Sequence, residues 1–136
     1  MERFIYPLLN LHSDVRWLVL AVAGLAILKF GWGWWRGGDF TGFDRALTAA
    51  YSGLIDLQAL LGIVFFFWSG YTGDGFPRFR FEHAFAMSLA LVAAHLPARW
   101  RNIEDRTRFR KTLFAVLASI ALILTGISTL PGGLSR

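Results

Sequence analysis

The sequence falls into four long apolar blocks separated by short stretches that carry most of the charge. The first runs from about Val15 to Trp35, the second from about Ala46 to Trp68, the third from about Phe81 to Pro97 and the fourth from about Leu113 to Leu130. None shows the strict apolar–polar alternation of a barrel strand. Each has roughly 17–23 residues, enough at about 1.5 Å per residue to cross about 30 Å of hydrocarbon. Inside lipid a backbone N–H or C=O finds no water, so a crossing chain must be helical or closed into a barrel. The pattern predicts an all-α, four-helix transmembrane bundle, a single domain over residues 1–136, with both ends on one side of the membrane.

Composition agrees. Of 136 residues, 55% are hydrophobic and the mean hydropathy is +0.48. A soluble globule of this size buries only about 60–70% of its chain area, too little to hide that much apolar surface. Ala21-Val22-Ala23 looks like a signal-peptidase motif but lies within the first apolar run, so that run reads as a retained span. There is no internal repeat, low-complexity stretch or long linker.

Charge sets the orientation. The chain carries a net +5, and its arginines cluster at block ends, which points to membrane topology and away from nucleic acid. Arg36, Arg45, Arg99, Arg101, Arg106, Arg108, Arg110 and Lys111 fall on one side, eight in all; Arg3, Arg16, Arg78, Arg80 and Arg136 fall on the other, five in all. The positive-inside rule puts the eight in the cytoplasm and both termini outside. Trp32, Trp34, Trp35 and Trp100 then belong to the inner interface and Trp68 to the outer. Small residues recur in the spans: Ala21, Ala23, Gly24 and Ala26; Ala49, Ala50, Gly53 and Gly62; Ala84, Ala86, Ala90, Ala93 and Ala94. They allow close helix packing and leave room for a flat cofactor between helices.

The absence of cysteine excludes disulfides, iron–sulfur clusters, thiolate zinc and covalently attached haem. Three histidines remain. His12 precedes the first span and His83 lies in the first turn of the third. Both spans run outside to inside, so the two imidazoles share a depth near the outer face. That is the arrangement a bis-His haem requires, and it is also where ordinary interfacial histidines sit. His95, twelve residues beyond His83, is about 18 Å further inward and about 120° around the helix, so it cannot ligate the same iron. It reads as an inner-interface residue or a quinone contact.

Asp56, mid-span with Gln58 beside it, is costly in lipid and must be protonated, paired or turned to a polar cavity; a functional role is the default for such a residue. A structural bond is the competing reading, with Lys29 of the first span as the candidate partner. Arg78 and Arg80 stand just before His83, in an irregular loop with Pro77, where guanidinium groups could hold haem propionates or simply flank the span. No nucleotide loop, zinc motif or nucleophile elbow is present.

Leu11-His12-Ser13 with Arg16-Trp17, Gln58 with Gly62, and Glu82-His83 with Met87 make the chain resemble small bacterial four-helix cytochrome b-like membrane proteins, with a layout similar to bacterial cytochrome b561. The resemblance covers about two-thirds of the chain. It implies b-haem binding and electron exchange with a quinone or within a larger redox complex. Related sequences carry histidine where this chain has Asp56. The expected site is then His12 and His83 as iron ligands, Arg78 and Arg80 at the propionates, Asp56 in proton or quinone handling and His95 as a quinone contact. The alternatives are a cofactor-free accessory subunit of a membrane complex and a small proton-coupled transporter using Asp56.

Overall fold

A computed structural model of the chain describes residues 2–73 and 75–135, with the backbone alone at residues 2 and 3. Arg136, counted above for orientation, lies outside the described residues. Four helices follow one another: α1 (Glu2–Arg36), α2 (Gly42–Thr72), α3 (Arg78–His95) and α4 (Asp105–Ser128). All four are long and apolar enough to cross a membrane. Each neighbour in the chain is a neighbour in space, and α1 closes the ring against α4; the α2–α3 contact is the slightest of the four. The result is an up-down-up-down four-helix bundle.

The helices exceed the apolar blocks because hydrogen-bonded turns continue into the polar interface. α1 has 35 residues, about 52 Å at 1.5 Å per residue, and passes through Pro7. α3 stops at His95 because Pro97 has no N–H to offer the Ala93 carbonyl; the Leu96 N–H bonds to Ala93 instead and the chain tightens into a 3₁₀ turn over Leu96–Arg99. α4 ends at Ser128, short of Leu130, where Pro131 disfavours further helix.

Small residues make part of the core. Ala23 and Ala26 of α1, Ala86, Ala90, Ala93 and Ala94 of α3 and Ala115 of α4 are buried. They let backbones approach in a medium that offers helices no hydrophobic drive to associate. Gly33 is packed so closely that an added Cβ would come within 2.5 Å of the Phe109 ring. Ala49, Ala50, Gly53 and Gly24, in contrast, face outward. One buried polar chain ties three helices: Tyr51 Oη donates to Ser119 Oγ at 2.8 Å, and Ser119 Oγ donates to the Ala90 carbonyl at 3.0 Å.

The end of the bundle that holds the α1–α2 and α3–α4 connections is closed by a polar clamp. Asp44, fully buried, accepts from Lys29 Nζ at 2.6 Å through one oxygen. Its other oxygen accepts from the Thr41 N–H and hydroxyl, both at 2.9 Å. The Phe40 N–H donates to Asp105 at the start of α4, and Phe40 stacks among Phe30 and Phe109. Lys29 is therefore paired with Asp44, and the expected Lys29–Asp56 contact is corrected. Lys29 points toward the inner end of α1, where Asp44 in the first turn of α2 is nearer than mid-helix Asp56.

Candidate functional site

A cavity of about 410 Å³ opens toward the end of the bundle that holds the α2–α3 connection and draws residues from all four helices. That volume lies in the range of cofactor pockets, about 300–1,000 Å³. His12 and Arg16 come from α1, one helical turn apart and so on one face. Gln58, Gly62 and Phe66 come from α2, Phe81, His83 and Met87 from α3, and Ile123 and Ile127 from α4. The walls are mostly apolar, and the polar groups are few and convergent.

His83 Nδ1 lies 2.9 Å from the Gly126 carbonyl. A carbonyl can only accept, so Nδ1 carries the proton and Nε2 keeps a free lone pair. This is how proteins commonly orient a ligating imidazole, with the second nitrogen held by a backbone oxygen. His12 is placed by Gln58, whose amide nitrogen donates to the His12 carbonyl at 2.8 Å and lies 3.4 Å from His12 Nε2. His12 Nδ1 and Gln58 Oε1 are buried without a hydrogen-bond partner. Buried polar atoms are seldom left so; beside a cavity, water or a ligand can complete the bonding.

Two glycines make the space. A Cβ at Gly62 would come 3.1 Å from His12 Cε1, and one at Gly126 would come 2.5 Å from Met87 Cε and 3.5 Å from His83 Nδ1. The close approach of α2 and α4 to the imidazoles depends on the missing side chains.

Of the ten residues that carry the cytochrome b-like resemblance, six meet in one place: His12, Arg16, Gln58, Gly62, His83 and Met87 line the cavity, whereas Leu11, Ser13, Trp17 and Glu82 do not. Others of the expected site do not. Arg78 Nε binds Glu82 at 2.7 Å, one turn on, with its side chain 92% accessible. Arg80 donates to Ser69 Oγ at 2.6 Å and to the Gly75 carbonyl at 3.2 Å, fastening the α2–α3 loop to α3. Neither lines the cavity; the guanidinium that does is Arg16. Arg80, one turn before His83, is held instead by Ser69 and the Gly75 carbonyl.

Asp56 and His95 also stand apart. Asp56 Oδ2 lies 3.3 Å from His95 Nε2 on the outward α2–α3 face, and their side chains are 55% and 46% accessible. Comparison with family models, with curated proteins and with solved structures finds no match.

Proposed function

We propose that the chain is a b-type haem protein of the bacterial inner membrane, with both termini outside, passing electrons to a lipid-soluble quinone or to a neighbouring redox subunit. The observation that carries this reading is the pair His12 and His83, from two parallel helices, facing one apolar cavity. The residues fit such a group. His83 offers Nε2, with Nδ1 held by Gly126, and His12 offers a buried ring nitrogen without a partner. Arg16 is the guanidinium in the cavity lining, where a carboxylate of the group would meet it; Arg78 and Arg80 do not line the cavity. Bound there, haem would supply one-electron redox chemistry. The chain's part is to fix the imidazoles through Gln58 and Gly126, to keep the site dry with Phe66, Phe81, Ile123 and Ile127, and to balance charge with Arg16. Asp56 and His95 are not neighbours of this cavity, and no role in it is assigned to them.

The test is absorbance of the purified protein, oxidised and reduced, after expression with ample haem. With His12 and His83 both holding the iron, the wild type would be low-spin. His12→Ala and His83→Ala should each give a high-spin or haem-free protein, and His95→Ala should leave the spectrum unchanged. A wild type without a Soret band would end the cytochrome reading and leave the accessory-subunit reading in its place. Haem lost only in His95→Ala would put the cofactor at the opposite end of the bundle.

A further inference from the structure

The outward face of α2 and α3 carries two features that the bundle itself does not use. The first is the Asp56–His95 pair. His95 Nδ1 lies 2.9 Å from the Leu91 carbonyl, which can only accept, so Nδ1 holds a proton. Nε2 lies 3.3 Å from Asp56 Oδ2. Such a pair is expensive to leave against hydrocarbon; intramembrane ionisable groups almost always face other protein or a water-filled cavity. Here both are about half accessible, in a groove walled by Leu91, Val92, Leu96 and Arg99.

The second feature is packing. Ala46, Ala49, Ala50 and Gly53 form an exposed stripe leading along α2 to Asp56. An added Cβ at Gly53 would meet nothing within 4 Å. Only 11% of the most apolar stretch of α2 is buried inside the bundle, against 44% for α4. Small side chains at three- and four-residue spacing allow close helix approach in membranes, and this stripe has no helix against it within one copy.

We propose that this face is the contact between two copies of the chain, related by a two-fold axis along the membrane normal, with Asp56 of each copy facing His95 of the other. The choice of a second copy follows from the patch itself. Because Asp56 and His95 bond each other, they lie at one depth. A two-fold axis normal to the membrane sets α2 of one copy opposite α3 of the other, so acid meets base twice at that depth. Isologous contacts need such self-complementarity. Each carboxylate then gains a second imidazole donor, and both pairs leave the lipid.

The chain has no cysteine, which gives a clean background for cross-linking. One tagged copy carries Leu60→Cys on α2 and a differently tagged copy carries Val92→Cys on α3; both positions are exposed on this face. Oxidation in native membranes should link the two tags. Leu28→Cys, exposed on α1, should give no link. Wild type in lipid nanodiscs should have the mass of two chains. Asp56→His should reduce it to one, since imidazole would then face imidazole, and the double exchange Asp56→His with His95→Asp should restore two. A monomeric wild type, equal linking through Leu28→Cys, failure of the double exchange to restore the dimer, or a different stoichiometric protein covering this face would each overturn the proposal. No readout uses haem, so the proposal and the cytochrome reading fail separately.

Discussion

Ser119 is buried at the meeting of α2, α3 and α4, accepting from Tyr51 and donating to the Ala90 carbonyl. The two partners depend on it unequally. In Tyr51→Phe, Ser119 keeps its bond to Ala90 and no polar group is stranded. The cost should be close to that of an interhelical hydrogen bond in a membrane bundle, about 0.6 kcal/mol. In Ser119→Ala, the Tyr51 hydroxyl stays buried with no acceptor, which costs about 1–3 kcal/mol. Denaturant unfolding in detergent, followed by helical circular dichroism, should rank Ser119→Ala well below Tyr51→Phe; the reverse order would mean that Tyr51 has another buried acceptor. Glycines divide in the same way. Gly33→Ala drives a methyl into the Phe109 ring and should cost about 1–3 kcal/mol. Gly24→Ala meets nothing within 4 Å and should stabilise α1, by up to about 1 kcal/mol.

At the scale of the element, the Lys29–Asp44 pair joins the last turns of α1 to the first turn of α2. Removing one partner of a buried pair strands the other, at about 3–5 kcal/mol. Lys29→Met should fall at the low end of that range, near 3 kcal/mol, because a third of the Lys29 side chain remains accessible. Lys29→Met with Asp44→Leu should be less damaging than Lys29→Met alone, since no charge is left buried; equal or greater damage in a thermal melt would show that Asp44 stabilises chiefly through Thr41. This clamp also marks where the sequence stops being legible. The four helices could be read directly, because a bilayer demands long unbroken apolar runs. Which face of each helix turns inward could not, because lipid-facing and core-facing positions are both apolar and the 3.6-residue stripe of a soluble helix is lost. Lys29 was therefore assigned to Asp56 by depth, while Asp44 lay just outside the second apolar block and drew no notice. The depth argument did bring His12 and His83 to one cavity, since it needs only helix direction and rise. Arg78 and Arg80, read from their nearness to His83 in sequence, do not line that cavity; Arg80 is turned to the loop at Gly75 (φ 68°).

For the whole molecule, orientation is the property that the fold leaves open and charge decides. α1 and α3 run in the same direction, so the α1–α2 and α3–α4 connections share a side. That side carries Arg36, Arg45, Arg99, Arg101, Arg106, Arg108, Arg110 and Lys111; the other carries Arg3, Arg16, Arg78, Arg80 and Arg136. Folding later engages some of these charges inside the protein. Arg16 faces the cavity, Arg80 binds the α2–α3 loop, Arg45 bonds the Phe40 carbonyl and Arg108 lies 4.0 Å above the Phe40 ring. Insertion reads the chain before those contacts exist, so all of them count toward topology. The excess rests on the stretch from Arg99 to Lys111, which should lie in the cytoplasm. A reporter fused after Glu104 should be active only as a cytoplasmic reporter, and one fused after Ser135 only as an external one. Exchanging Arg99, Arg101, Arg106 and Arg110 together for alanine removes four of the eight charges, leaving four against five, and should give a mixed or inverted population. An external signal from the Glu104 fusion of the unaltered chain would reverse the orientation and put the His12–His83 cavity in the cytoplasmic half of the membrane.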